Sequence, residues 1–258
     1  MALTDIEKHY NKHPEDLRLL RRHGIVEFET TMHHLHRFLQ NHQNPFILDV
    51  GCGTGRYGSS LMAEGYLVKS VELVQRNIDV FLKREPTADV VKGDARNMPF
   101  IEDNTADITL LLGPLYHLFG EEEKLKALNE AKRVTKTGGL IFVAYLMNEY
   151  SILSYCFDED RISDLFAKGV IDKDYHIRSK GDELYDYIRL EDINQLNEKA
   201  GLERVTIFSP DGAADYMRTR LNHMNETTFR HFIEYQKCIS ERADLIGAGS
   251  HTVDVVRV

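Results

Sequence analysis

Cysteine and proline are scarce in these 258 residues, at three and six. Cys52, Cys156 and Cys238 are odd in number and widely separated, which excludes a disulfide framework and fits a reducing compartment. Long apolar runs are missing as well. No stretch approaches the ~20 residues that a membrane-spanning helix needs, and the opening MALTDIEKHY lacks the apolar core of a secretory signal. The expectation is a cytoplasmic protein with no membrane partner. Positive charge is also short: 32 Lys and Arg against 41 Asp and Glu leave a net charge of −9. Affinity for a phosphate backbone comes from clustered Lys and Arg, so the charge balance argues against a nucleic-acid partner, and a small molecule is expected. Arg18, Arg21 and Arg22 come nearest to a basic patch, and a solvated helix face accounts for them about as well. Internal repeats, heptads and low-complexity tracts are absent too.

What remains is an ordinary globular composition, 42% apolar and 28% charged, long enough to bury a substantial core as one domain over residues 1–258. Its most informative stretch is FILDVGCGTGRYG, Phe46 to Gly58. Phe46, Ile47, Leu48 and Val50 suit a short buried strand. Gly51, Gly53 and Gly55 then let the chain turn and let a ligand approach the backbone. N–H groups at the start of a following helix would face that ligand. A dinucleotide fingerprint needs its third glycine one place later, as G-x-G-x-x-G; that place holds Arg56.

The remaining chain alternates strand and helix signals. Arg56 to Glu64 reads as a helix stopped at Gly65, and Tyr66 to Leu73 as a second strand ending in Glu72. That acid lies about 20 residues beyond the glycine turn, where a doubly wound sheet places a carboxylate beside a ribose. Asn77 to Lys83 reads as a helix closed by Pro86, and Ala88 to Lys92 as a third strand before Gly93-Asp94-Ala95. Asp107 to Gly113 is a nearly continuous apolar strand, as an internal parallel strand should be, and it runs into GPLYHLF. Glu121 to Thr135 is an amphipathic helix, turned by Gly138-Gly139 into a fifth strand, LIFVAYL. Leu190 to Ala200 is a helix stopped at Gly201, Glu203 to Phe208 a sixth strand and Thr252 to Val258 a seventh. This order implies right-handed crossovers and a mostly parallel sheet.

Before Phe46 the spacing of Leu17, Leu19, Leu20, Ile25, Phe28, Met32, Leu35 and Leu39 is helical, with Pro14 placed to open the first helix. His33, His34, His36 and His42 lack a third ligand at matching spacing and read as a solvated face; no metal is expected. Two segments exceed what the sheet needs, 148–189 and 210–251, the second with helical runs at Tyr216 to Met224 and Thr228 to Arg242. Both read as a cap over a substrate pocket, or as an oligomer interface built from the same helices.

Asp49 two places before Gly51, the G-x-G-x-G spacing, VEL, KGDARNMPF, LLLGPLYHL and RVTKTGGLIFVAY together resemble the bacterial class I S-adenosylmethionine-dependent methyltransferases of the ubiquinone-methylase-like group, over about Gly24 to Leu146. The resemblance implies a doubly wound, Rossmann-like α/β fold of seven strands, the last inserted antiparallel between the fifth and sixth, with residues 1–45 as a helical lid and 46–147 as the cofactor core. It implies S-adenosyl-L-methionine as cofactor, held by Asp49, Gly51, Cys52, Gly53, Gly55, Glu72, Leu73, Asp94, Ala95 and Gly113, with Asp94 at the adenine amino group. Tyr10, Arg18 and Glu27 are lid candidates. Tyr116 is a candidate to lay its ring against the sulfonium, and His117 to act as general base, with a capping or packing role as its alternative. Gly113-Pro114-Leu115-Tyr116 lacks the leading Asn or Asp and the second Pro of the amino-methyltransferase motif, which speaks against adenine-N6 or glutamine acceptors. The expected reaction is methyl transfer to O, N or C of a small molecule; an RNA or protein methyltransferase and a non-catalytic cofactor-binding protein are the alternatives.

Overall fold

The computed structural model describes residues 6, 8, 10, 19–40, 42–179 and 184–258; Pro14, Leu17 and Arg18 lie outside them. Parallel strands β1 (Phe46–Val50), β2 (Leu67–Glu72), β3 (Asp89–Lys92), β4 (Ala106–Leu111) and β5 (Thr135–Leu146) join β6 (Glu203–Phe208) and β7 (His251–Arg257) in one sheet. Its order is β3-β2-β1-β4-β5-β7-β6, and β7 runs antiparallel to both β5 and β6. This is the seven-stranded, doubly wound arrangement expected from the sequence.

Period-two alternation divides the core between the two faces of the sheet. Leu48, Val50, Leu111, Ile141 and Val143 face α4 (Glu121–Val134) and α7 (Leu190–Ala200), where Leu128, Ala131, Ile193 and Leu196 are buried. Ile47, Ile108, Leu110, Phe142 and Val255 face α1 (Arg22–Leu39) and α2 (Arg56–Ala63) through Phe28, Met32, Leu35 and Leu61. The strands of the inner sheet carry apolar residues at successive positions because both faces are covered. Helix α3 (Gln75–Arg84) closes the β2–β3 crossover.

Several sequence expectations are revised. β5 begins earlier than expected, at Thr135, which pairs with Ala106; Gly138-Gly139 lie in the register shift before regular pairing with β4 starts at Leu140, the first residue of the expected strand. Thr135 is fixed there by donating to the Ala131 carbonyl and by a 2.6 Å hydroxyl contact with Thr109. His34 is no part of a solvated face. It is 1% exposed, stacks on Phe208 at 3.9 Å and bonds Ser240, and burial pushes its pKa down to about 4. Arg22 is committed rather than available as a basic patch: it donates to the Leu221 and Met224 carbonyls and lies 4.6 Å over the Phe229 ring.

Those last contacts belong to the second insertion. Its helices α8 (Arg218–Asn222) and α9 (Glu226–Ile239) bury Leu221, Phe229 and Ile233 against Val26 of α1. The first insertion holds α5 (Asn148–Ser151), a π-helical turn (Ile152–Phe157) and α6 (Ile162–Ala167). It builds a small core of its own from Ile152, Cys156, Ile171 and Ile177.

Candidate functional site

A cleft of about 270 Å³ opens at the carboxyl ends of β1, β2 and β4, where open α/β sheets hold ligands. Its floor is the glycine turn between β1 and α2. At Gly51, φ is +71° and a Cβ would lie 2.5 Å from Pro114; no other residue type fits so close to the turn that follows β4. Gly53 also has positive φ, but nothing lies within 4 Å of its would-be Cβ, so its open side faces the cleft. Gly55 differs from expectation in place: it is not among the cleft-lining residues, and its missing Cβ makes room for the Phe81 ring instead. Arg84 of α3 clamps the turn from behind, donating to the Thr54 carbonyl at 2.6 Å.

The remaining expected residues line the cleft: Asp49, Gly51, Cys52 and Gly53 on the turn, Glu72 and Leu73 at the end of β2, Asp94 and Ala95 after β3, and Gly113, Tyr116 and His117 after β4. Glu72 is 5% exposed. Its carboxylate accepts from Gly53 N at 2.8 Å, Val74 N at 2.9 Å and Asn77 Nδ2 at 3.1 Å. Burial raises its pKa, and these donors oppose the rise. The Leu73 backbone N–H adds a fourth donor to the same carboxylate, which fixes it at the cleft wall beside Gly53. Asp49 is 2% exposed, and its Oδ2 has no hydrogen-bond partner among the described residues. Burial, and then the charge of Glu72, pushes its pKa up to about 7; a bond from the Gly58 backbone opposes them. Burial and the same two acids also push the Cys52 thiol well up, leaving it unreactive as a nucleophile.

Asp94 reaches the cleft already engaged. It accepts from Arg96 N and Nε and pairs with the guanidinium at 2.6 Å. Burial alone would raise its pKa, but Arg96 holds it below the usual carboxylate range. Arg96 also pairs with Glu123. Sequence reasoning missed Arg96, Asn77 and Arg84, although Arg96 stands only two places after Asp94.

Tyr116 and His117 sit on a short 3-10 turn, Pro114–His117. His117 Nδ1 lies 2.9 Å from the Leu184 carbonyl, which can only accept, so Nδ1 carries the proton. Nε2 is then the acceptor of the Tyr10 hydroxyl, 2.9 Å away. His117 thus joins the N-terminal segment to the first insertion. Asp186 N donates to the Tyr116 carbonyl at 2.8 Å, and Asp186 pairs with the buried Lys124, which pins that insertion to the same turn. Of the lid candidates, Tyr10 lines the cleft, Glu27 of α1 does not, and Arg18 is outside the described residues.

The pieces suit one kind of ligand. An unsatisfied buried acceptor at Asp49, open backbone at Gly53 and a backbone-anchored carboxylate at Glu72 match a molecule bearing a cationic amine and hydroxyl groups. Among the described residues no helix is long and apolar enough to cross a membrane.

Residues 48–143 match the family described as methyltransferase domain. A demethylmenaquinone methyltransferase of Renibacterium salmoninarum is 34% identical over 98 residues, 38% of this chain and 40% of that protein. The chain spans about two fifths of the length of the first curated relatives it matches. A S-adenosylmethionine-dependent methyltransferase of Thermotoga maritima superposes with a TM-score of 0.57 at 20% identity, covering 98% of each chain. Phosphoethanolamine N-methyltransferase 2 of Haemonchus contortus, solved with S-adenosyl-L-methionine, gives a TM-score of 0.57 at 16% identity, covering 99% of this chain and 60% of that one. At these identities the two structures share its fold.

Proposed function

We propose that this protein, whose residues 48–143 match a methyltransferase domain, is a class I S-adenosylmethionine-dependent methyltransferase that transfers the methyl group to an O, N or C atom of a small-molecule acceptor. The observation that carries this reading is the acidic pair at the glycine turn: buried Asp49 with an unsatisfied oxygen beside the backbone-anchored Glu72. When bound, S-adenosylmethionine supplies a methyl group already activated on a sulfonium. The protein's task is then to hold donor and acceptor in line and to exclude water.

Asp49 would take the amino group of the cofactor, Gly51, Cys52 and Gly53 its backbone-facing side, and Glu72 with Leu73 the ribose. Asp94 would share its carboxylate between Arg96 and the adenine amino group, with Ala95 N on the ring. Gly113 and Tyr116 would wall the methyl position, the Tyr116 ring attracting the cation through its π face. Tyr10 and His117 would close this wall, and the two insertions would cap the acceptor. For His117 to serve as base, an acceptor would have to displace the Tyr10 hydroxyl from Nε2. A small-molecule acceptor suits the negative balance of charge better than nucleic acid does.

Calorimetry with S-adenosylmethionine and NAD, on wild type and Glu72→Ala, tests the reading. Micromolar binding of S-adenosylmethionine that weakens at least tenfold in the variant is expected. Binding of NAD in its place would overturn both cofactor and reaction.

A further inference from the structure

Arg56, the residue that breaks the dinucleotide spacing, lines the cleft together with Arg84, Arg96 and His117. The other three are engaged within the protein. Arg84 Nη2 donates to the Thr54 and Gly55 carbonyls and to the Ser59 hydroxyl. Arg96 is paired with Asp94 and Glu123, and His117 is held between Tyr10 and Leu184. Arg56 differs from them. Its Nε is buried and has no hydrogen-bond partner among the described residues. A buried donor left unpaired is costly, so the position points to a ligand that completes it.

The surroundings say what that ligand carries. Arg56 opens α2 directly after the glycine turn, and its guanidinium lies 4.6 Å over the Phe28 ring of α1. A planar cation stacked on an aromatic face is held in orientation while its edge of N–H donors stays available. That edge matches the two oxygens of a carboxylate. The same helix touches the buried acid of the turn. The Gly58 backbone N–H donates to Asp49, and a Cβ on Gly58 would lie 3.4 Å from Asp49 Oδ2. An acid with an unsatisfied oxygen and a cation with an unsatisfied donor therefore flank the first turn of one helix. Among the described residues no ion pair joins them.

We propose that Arg56 is the carboxylate-binding residue of the cleft. The proposal rests on the methyltransferase reading, under which a carboxylate arrives from one of two sources: the amino-acid end of the cofactor, beside the amine on Asp49, or an acidic acceptor. In either case Arg56 sets which ligands the cleft takes, because a neutral analogue leaves its donors unpaired.

Calorimetry on the full chain tests this with S-adenosylmethionine, with its decarboxylated analogue, and with acetate and benzoate added to the S-adenosylhomocysteine complex. Arg56→Met keeps an apolar stem over Phe28 without the donors, and Arg56→Lys keeps the charge without the fork. If the carboxylate is the cofactor's, wild type should bind S-adenosylmethionine about tenfold or more tighter than the decarboxylated analogue. Arg56→Met should lose that preference while binding the analogue within twofold of wild type, which also shows that the variant is folded. If it is the acceptor's, wild type should bind the two cofactors alike, and its S-adenosylhomocysteine complex should bind acetate or benzoate about tenfold or more tighter than the Arg56→Met complex does. Arg56→Lys should fall between the two proteins. A preference for the carboxylate that is equal in wild type and both variants overturns the proposal and leaves the cofactor reading intact. So does a wild type that neither prefers the carboxylated cofactor nor binds the added acids. Failure of wild type to bind S-adenosylmethionine and its analogue overturns both.

Discussion

Asp49 is held in the protein at a cost that can be measured. Its pKa rises from 3.8 to about 7 because burial strips water from the carboxylate and Glu72 lies nearby. A shift of one unit is worth ~1.4 kcal/mol, so keeping the group ionised costs the native state roughly 4 kcal/mol at pH 8. The sign follows from the direction of the shift. The folded protein binds this proton more readily than the unfolded chain, so stability is lowest above pH 7. It recovers as pH falls through 7 and is fully regained only below about 4. At pH 5 roughly 1.5 kcal/mol of the penalty remains. Asp49→Asn removes the charge, so the apo variant should gain on wild type by about 2.5 kcal/mol more at pH 8 than at pH 5. Urea unfolding of both proteins at pH 5, 6.5 and 8 measures this, and any constant effect of the buried amide cancels in the comparison. The same substitution should weaken S-adenosylmethionine binding at pH 8, since the cationic amine loses its counter-charge. In wild type near pH 7 that binding should release protons, seen as a dependence of the calorimetric heat on the buffer's ionisation enthalpy. A difference between variant and wild type that does not change with pH would refute the assignment of a raised pKa to Asp49.

Arg96→Ala frees the Asp94 carboxylate from a partly exposed ion pair worth ~0.2–1 kcal/mol; calorimetry should therefore show cofactor binding two- to fivefold tighter. A weaker binding would mean that Arg96 itself holds the nucleoside. Phe142 is fully buried in β5, and Phe142→Ala should cost about 3–5 kcal/mol in urea unfolding while cofactor affinity in the folded state stays within twofold. His117→Ala breaks the link from Tyr10 to Leu184, and turnover should fall far more than cofactor affinity; unchanged turnover would remove His117 from the site.

The elements legible in the sequence are those whose cause lies within a few residues. The glycine turn announces itself because the backbone conformations at Gly51 and Gly53 are local demands, and Glu72 follows because one crossover helix separates consecutive parallel strands. Periodicity places α1, α4 and α7 for the same reason. The readings that needed revision each depend on a partner far along the chain. His34 looks solvated beside His33 and His36, but its hydrogen-bond partner Ser240 is 206 residues away. Gly138-Gly139 has the composition of a turn, yet Thr135 is drawn into the sheet by pairing with Ala106. The contacts of His117 are hidden for the same reason: Tyr10 lies 107 residues before it, and Leu184 lies in the first insertion. The pairing of Asp211 with His251 is hidden in the same way. The two are 40 residues apart, across an insertion whose two helices pack on α1. The cleft is thus written in consecutive strand ends, which sequence spacing encodes. The insertions and the last strand are held by contacts between residues far apart in the chain, so their packing is readable only from the structure.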